Sequence, residues 1–161
     1  MTDEPRWNWE SGEGLLRMDD PAEVDAAFER GERSLGAAVI GLARNCPPEV
    51  VSPRIIRLIE VSDPLGRDFP FTAIGHLARL DGRLTPELYA ALRAEGTGGY
   101  ADNAIRDTLG YVPFRDLPAW FKWRWLVTTV HDKLEGWWLR SVDAVEDAWK
   151  ALRRGRGRSR S

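Results

Sequence analysis

The sequence predicts an all-α protein, a short solenoid of about four antiparallel helix pairs, on three observations. Ser52-Pro53, Thr85-Pro86 and Leu117-Pro118 recur at spacings of 33 and 32 residues, which is the self-similarity expected of a stacked repeat. Each of these steps opens a segment whose apolar residues recur three and four apart, the period of one helix face. The second segments align as well, because Ala73-Ile74 precedes Ala104-Ile105 by 31 residues.

The elements follow in order. Asp20-Pro21 starts a helix with Val24, Ala27 and Phe28 inward, and after Gly31 a second runs from Leu35 to Ala43. Ser52-Pro53 and Thr85-Pro86 read as helix starts because Ser or Thr caps an orphan N–H and Pro at the first position gives up no bond. The second pair is therefore expected over Pro53–Val61 and Phe69–Leu80, broken at Asp63-Pro64-Leu65-Gly66, with Ala73, Ile74, Leu77 and Ala78 buried. A third is expected over Pro86–Ala94 and Ala101–Val112, broken at Gly96-Thr97-Gly98-Gly99, with Ala104, Ile105, Leu109 and Val112 inward. Leu117-Pro118, with Asp116 as the alternative cap, opens a longer last pair. There Trp120, Trp123, Val127, Val130 and Leu134 form one stripe and Val142, Val145, Trp149 and Leu152 another. Such a long, Trp-rich pair suits the terminal cap of a stack. Three segments result: an acidic arm over residues 1–19, one helical-repeat domain over 20–152 and a disordered basic tail over 153–161.

Composition narrows the chemistry. The 161 residues are 43% hydrophobic, enough for a real core, and no apolar run approaches the roughly 20 residues of a membrane span. Thr2, Asp3, Glu4 and Pro5 do not resemble a secretory leader, so a cytoplasmic protein is expected. A single cysteine, Cys46, and two histidines, His76 and His131, leave no zinc spacing and no internal disulfide. No metal and no cofactor are expected. Neither histidine has a serine, cysteine or carboxylate at triad spacing, and the Gly96–Gly99 loop lacks the lysine of a phosphate-binding loop. The expectation is a protein that is not an enzyme.

The net charge of −2 hides a polarity: residues 1–36 hold ten acids against four bases, and residues 150–161 hold six bases and no acid. Between them, thirteen bases balance fifteen acids, which is not the footprint of a nucleic-acid domain. The arm interleaves Trp7 and Trp9 with Glu10, Glu13, Asp19 and Asp20. Tryptophan supplies contact area while the carboxylates steer a basic protein partner, or the tryptophans tuck onto the first helix pair. Five of the eight tryptophans, Trp120, Trp123, Trp125, Trp137 and Trp138, crowd nineteen residues near the C-terminus. They read mostly as terminal core, with Trp125 lying off the stripe beside Phe121.

At Asp102-Asn103-Ala104-Ile105-Arg106-Asp107-Thr108-Leu109-Gly110 the chain resembles the second helix of a HEAT repeat, which opens on Asp and continues aliphatic-Arg-x-x-Ala/Thr-Leu-Gly. The unit before it carries Phe71-Thr72-Ala73 in place of the aliphatic-Arg element. The resemblance spans about residues 20–150 and implies a binding surface along the second helix of each pair. The residues it points to are Thr72, His76 and Arg79, then Asn103, Arg106 and Asp107, then Arg140, Asp143 and Asp147. Small bacterial HEAT-like proteins include immunity proteins that neutralise toxins, so the resemblance implies a protein-binding module for which a basic toxin would suit the acidic arm. Other HEAT-like proteins hold nucleic acid, which makes DNA or RNA binding through the basic tail and exposed Trp and Arg residues the alternative.

Overall fold

In a computed structural model, the described residues, 7–129, are helical and contain no strand. The chain divides into two compact units, Met1–Pro118 and Ala119–Ser161. Arg140, Asp143, Asp147, the remainder of the last pair and the basic tail lie outside the described residues. Among the described residues no helix is long and apolar enough to cross a membrane.

The first unit begins with the arm, which turns through a single 3-10 turn, Leu15–Arg17, into helix α1, Pro21–Arg30. The Asp20 carboxylate caps α1 by accepting the N–H groups of Ala22 and Glu23, with Pro21 at the first helical position. Gly31 ends α1 in the left-handed conformation, φ 68°, and its N–H satisfies the last carbonyls. Helix α2, Leu35–Asn45, is the most apolar element, with Ala38, Val39, Ile40, Leu42 and Ala43 all buried. A helix hydrophobic on nearly every side must be covered on nearly every side. Four elements cover it: the arm, α1, α3 (Pro48–Val61) and α4 (Asp68–Asp81). Helices α5, Pro86–Glu95, and α6, Asp102–Tyr111, and a second 3-10 turn, Phe114–Asp116, complete the unit.

The helices form two rows. The second member of each pair packs most closely on the next, α2 on α4 and α4 on α6, and the first members α1, α3 and α5 touch in the same order. Ion pairs join neighbours along the first row: Arg54 to Asp25 and Arg57 to Glu29 link α3 to α1, and Arg83, in the turn before α5, pairs with Glu49 of α3. Arg57 also stacks its guanidinium over the Phe28 ring at 4.6 Å.

Two expectations are corrected. Ser52-Pro53 is not a helix start, because α3 begins at Pro48, with Pro47 as cap, and carries Pro53 inside it. Pro53 is the sixth residue of α3, beyond the first turn, so it forfeits the main-chain bond to the Glu49 carbonyl. Ser52 is instead buried in mid-helix, its hydroxyl donating to the Pro48 carbonyl at 2.7 Å and paired with the Thr85 hydroxyl at 2.8 Å. The two positions that set the 33-residue ruler therefore touch. In α6, Thr108 is fully buried, its hydroxyl satisfied by the Ala104 carbonyl at 2.7 Å, while Leu109 is only half-buried.

In the second unit, residues 119–129 are helical, and of the expected stripe Trp123 and Val127 are not covered, while Val130 and Leu134 lie outside the described residues. Phe121 is buried and Trp125 half-buried, whereas Trp123 is 66% exposed and Val127 is exposed. The segment is apolar on several sides, so its spacing fits two stripes equally well and packing decides between them. Trp120 packs edge-on to Phe121, ring centroids 4.8 Å apart, and Arg124 lies over the Trp120 ring at 5.9 Å.

Candidate functional site

Along the second-helix row, α4 and α6 enclose a polar groove of about 370 Å³. Its floor depends on Gly75: a Cβ there would lie 2.7 Å from Asp107 Oδ2 and 3.7 Å from the Ala104 Cα. With no side chain at 75, α6 approaches α4 and the Asp107 carboxylate enters the space between them. Arg79, one turn further along α4, pairs with that carboxylate at 2.8 Å. Asp107 is mostly covered and Arg79 half-exposed, so the pair keeps one face in water.

Thr72 and His76 come from the same face of α4, and Asn103 faces them from α6. Five of the residues expected to bind a partner, Thr72, His76, Arg79, Asn103 and Asp107, therefore line one groove. Arg106 does not line it; its guanidinium donates to Asn103 Oδ1 at 3.4 Å. Partial burial, together with the positive charge of Arg44 and Arg79, pushes His76 below the usual imidazole value, and Asp107 partly opposes this. The imidazole is thus kept neutral near pH 7, able to donate from one nitrogen and accept at the other.

Asp68 and Tyr100 also line the groove and were not anticipated. Asp68 lies in the first turn of α4, four residues before Thr72, which places both on one face. Tyr100 comes from the glycine-rich loop, where no periodicity could assign it a direction. Its hydroxyl donates to the Pro64 carbonyl at 3.2 Å, tying that loop to the α3–α4 connection.

The arm is docked. Leu15 and Met18 are fully buried, and Gly41 of α2 is the reason, since a Cβ there would meet the Leu15 carbonyl at 2.1 Å. Asn45 Nδ2 clamps the same stretch, donating to the carbonyls of Met18 at 3.1 Å and Gly41 at 2.9 Å. The half-buried Trp9 donates its indole N–H to Glu23 at 2.9 Å, under the Arg30 guanidinium at 5.9 Å, and Trp7 is half-buried too. Glu10, Glu13 and Asp19 are exposed, while the Asp20 carboxylate is occupied in capping α1.

The groove offers hydroxyl, amide, imidazole and paired charges to a ligand. Among the described residues no group of three or more His, Cys, Asp or Glu side chains converges to hold a metal ion. Compared with protein-family models, with curated proteins and with solved structures, the chain shows no match, so its reading rests on this geometry.

Proposed function

We propose that this chain is a non-enzymatic protein-binding module built as a short HEAT-like α-solenoid, contacting its partner through the second-helix row and the acidic arm. The observation that carries the reading is the convergence of Thr72, His76, Arg79, Asn103 and Asp107 in one solvent-facing groove between α4 and α6. These groups suit recognition: a hydroxyl and an amide give adaptable hydrogen bonds, and an ion pair sets the electrostatic register. The two helix rows support a stacked-pair architecture, in which the second helices line an extended binding face. The exposed carboxylates Glu10 and Glu13 favour a basic partner. A toxin neutralised in the cytoplasm, with this chain as its immunity protein, fits that chemistry.

Co-purification from the native host tests the proposal. One protein partner is expected with the wild-type chain, and its loss with Thr72→Ala/Asn103→Ala, two exposed changes that leave the core alone. Equal recovery with both chains would sink the groove as the contact.

Nucleic-acid binding is favoured by one observation, the exposed Trp123 on a helix that also carries Lys122 and Arg124. A salt series with and without residues 153–161 separates the readings. Binding that survives truncation and weakens on Trp123→Ala would support this second one.

A further inference from the structure

A second depression, of about 800 Å³, opens at the edge of the first unit where the arm meets the α1–α2 turn, the end of α3 and the start of α4. Its walls hold large apolar side chains left in water: Leu16 is 49% exposed, Val61 59% and Phe69 39%, with Leu65 in the adjoining turn at 90%. Phe69 lies there because residue 36 is glycine; a Cβ on Gly36 would meet the ring at 2.4 Å. Single exposed apolar residues are ordinary, whereas several gathered around one concavity mark a surface that another molecule covers.

The rim indicates the chemistry of that molecule. Ser11 and Gly12 line the depression, and the exposed Glu10 and Glu13 flank them in the chain. Asp63 lines the opposite side, Glu32 shares the Arg30 guanidinium with Glu23, and Arg33 is the one cation lining the depression. The balance is acidic, in keeping with ten acids against four bases over residues 1–36. The rim is also ordered in advance: Asn8 Oδ1 accepts the N–H groups of Glu10 and Ser11, and the Asn8 carbonyl accepts that of Gly12 at 2.9 Å. A loop fixed before binding loses less entropy on binding.

We infer that this depression docks a segment of a protein partner in which one large apolar side chain is flanked by Lys or Arg. The apolar side chain covers Leu16, Val61 and Phe69 while the flanking cations meet Glu10, Glu13 and Asp63. The inference rests on the protein-binding reading above and adds a second, chemically distinct contact to it.

The test is a random-peptide phage selection against the full chain, with selected peptides then measured by fluorescence polarisation. The expected consensus is a large apolar residue between basic ones. Its affinity should fall by about tenfold or more on Leu16→Ser/Val61→Ser and on Glu10→Gln/Glu13→Gln, while Thr72→Ala/Asn103→Ala leaves it unchanged. Both glutamate changes are at exposed positions, so this second pair keeps the test valid should the first perturb folding. An acidic or uncharged consensus, or affinities indifferent to both pairs, overturns the inference. Peptides that depend on Thr72 and Asn103 overturn it and leave the binding-module reading standing; recovery of no binder counts against both. Concentration-dependent self-association abolished by Leu16→Ser/Val61→Ser would assign the depression to a second copy and overturn the inference as well.

Discussion

Replacing Gly41 by alanine adds one methyl group to α2 and should release the arm. The new Cβ would sit 2.1 Å from the Leu15 carbonyl and 2.9 Å from the Met18 backbone nitrogen, main-chain atoms that cannot swing aside. If the arm lifts, Leu15 and Met18, both 0% exposed, return to water. Each is worth about 1.5–3 kcal/mol when fully buried, and the Asn45 bond to Met18 adds about 1 kcal/mol. Against this, alanine is the better helix former by about 1 kcal/mol. The net expectation is a loss of about 3–6 kcal/mol, or a fall in Tm of roughly 6–24 °C for a chain of this size. Guanidinium titration followed by tryptophan fluorescence reads the first quantity. Trypsin reads the second consequence, since Arg17 lies in the segment that would detach. Gly110→Ala is the control, because nothing lies within 4 Å of a Cβ there, and it should be neutral or stabilise by up to about 1 kcal/mol. A Gly41→Ala protein within about 0.5 kcal/mol of wild type, with Arg17 equally protected, would refute the docked arm.

Other expectations follow from the same contacts. His76 is held below its usual value of 6.5, so the unfolded chain takes up its proton first as pH falls. The stabilising difference between wild type and His76→Gln is therefore full above about pH 7 and shrinks as pH drops below 6.5; a difference that grows on acidification would contradict this. Ser52→Ala and Thr85→Ala, singly and together, should show a coupling of about 0.5–1.5 kcal/mol because the hydroxyls touch at 2.8 Å, and additivity in denaturant titrations would deny the contact. Gly75→Ala displaces the movable end of Asp107 and not backbone, so a smaller cost than Gly41→Ala, about 1 kcal/mol, is expected from thermal melts, with reduced partner binding.

Helix identity was largely legible where a cap and an apolar period agreed. Asp20-Pro21 and Thr85-Pro86 both begin helices where expected, although only Asp20 makes a side-chain cap bond, the Thr85 hydroxyl pairing with Ser52 instead, and Val24, Ala27, Phe28, Ala73, Ile74, Leu77 and Ala78 are buried as their spacing implies. Ser52-Pro53 misled because its local chemistry is that of a start while the real start, Pro47-Pro48, lay five residues upstream. The Trp120–Trp123–Val127 stripe misled for a different reason: where most positions are apolar, period carries little information and the covered face is set by tertiary packing. The α4–α6 groove was partly readable, since residues four apart on one helix must share a face, which places Thr72, His76 and Arg79 near one another. The contributions of Gly36, Gly41 and Gly75 were not, because a glycine's value at a close approach depends on what lies opposite.

The most direct measurement is site-specific photo-crosslinking in the native host, with a benzophenone side chain placed at Asn103 in the groove or at Arg93 on α5 as the exposed control. One discrete protein adduct is expected from position 103 and none from 93. Equal labelling from both positions, or no protein adduct from 103, would contradict that expectation.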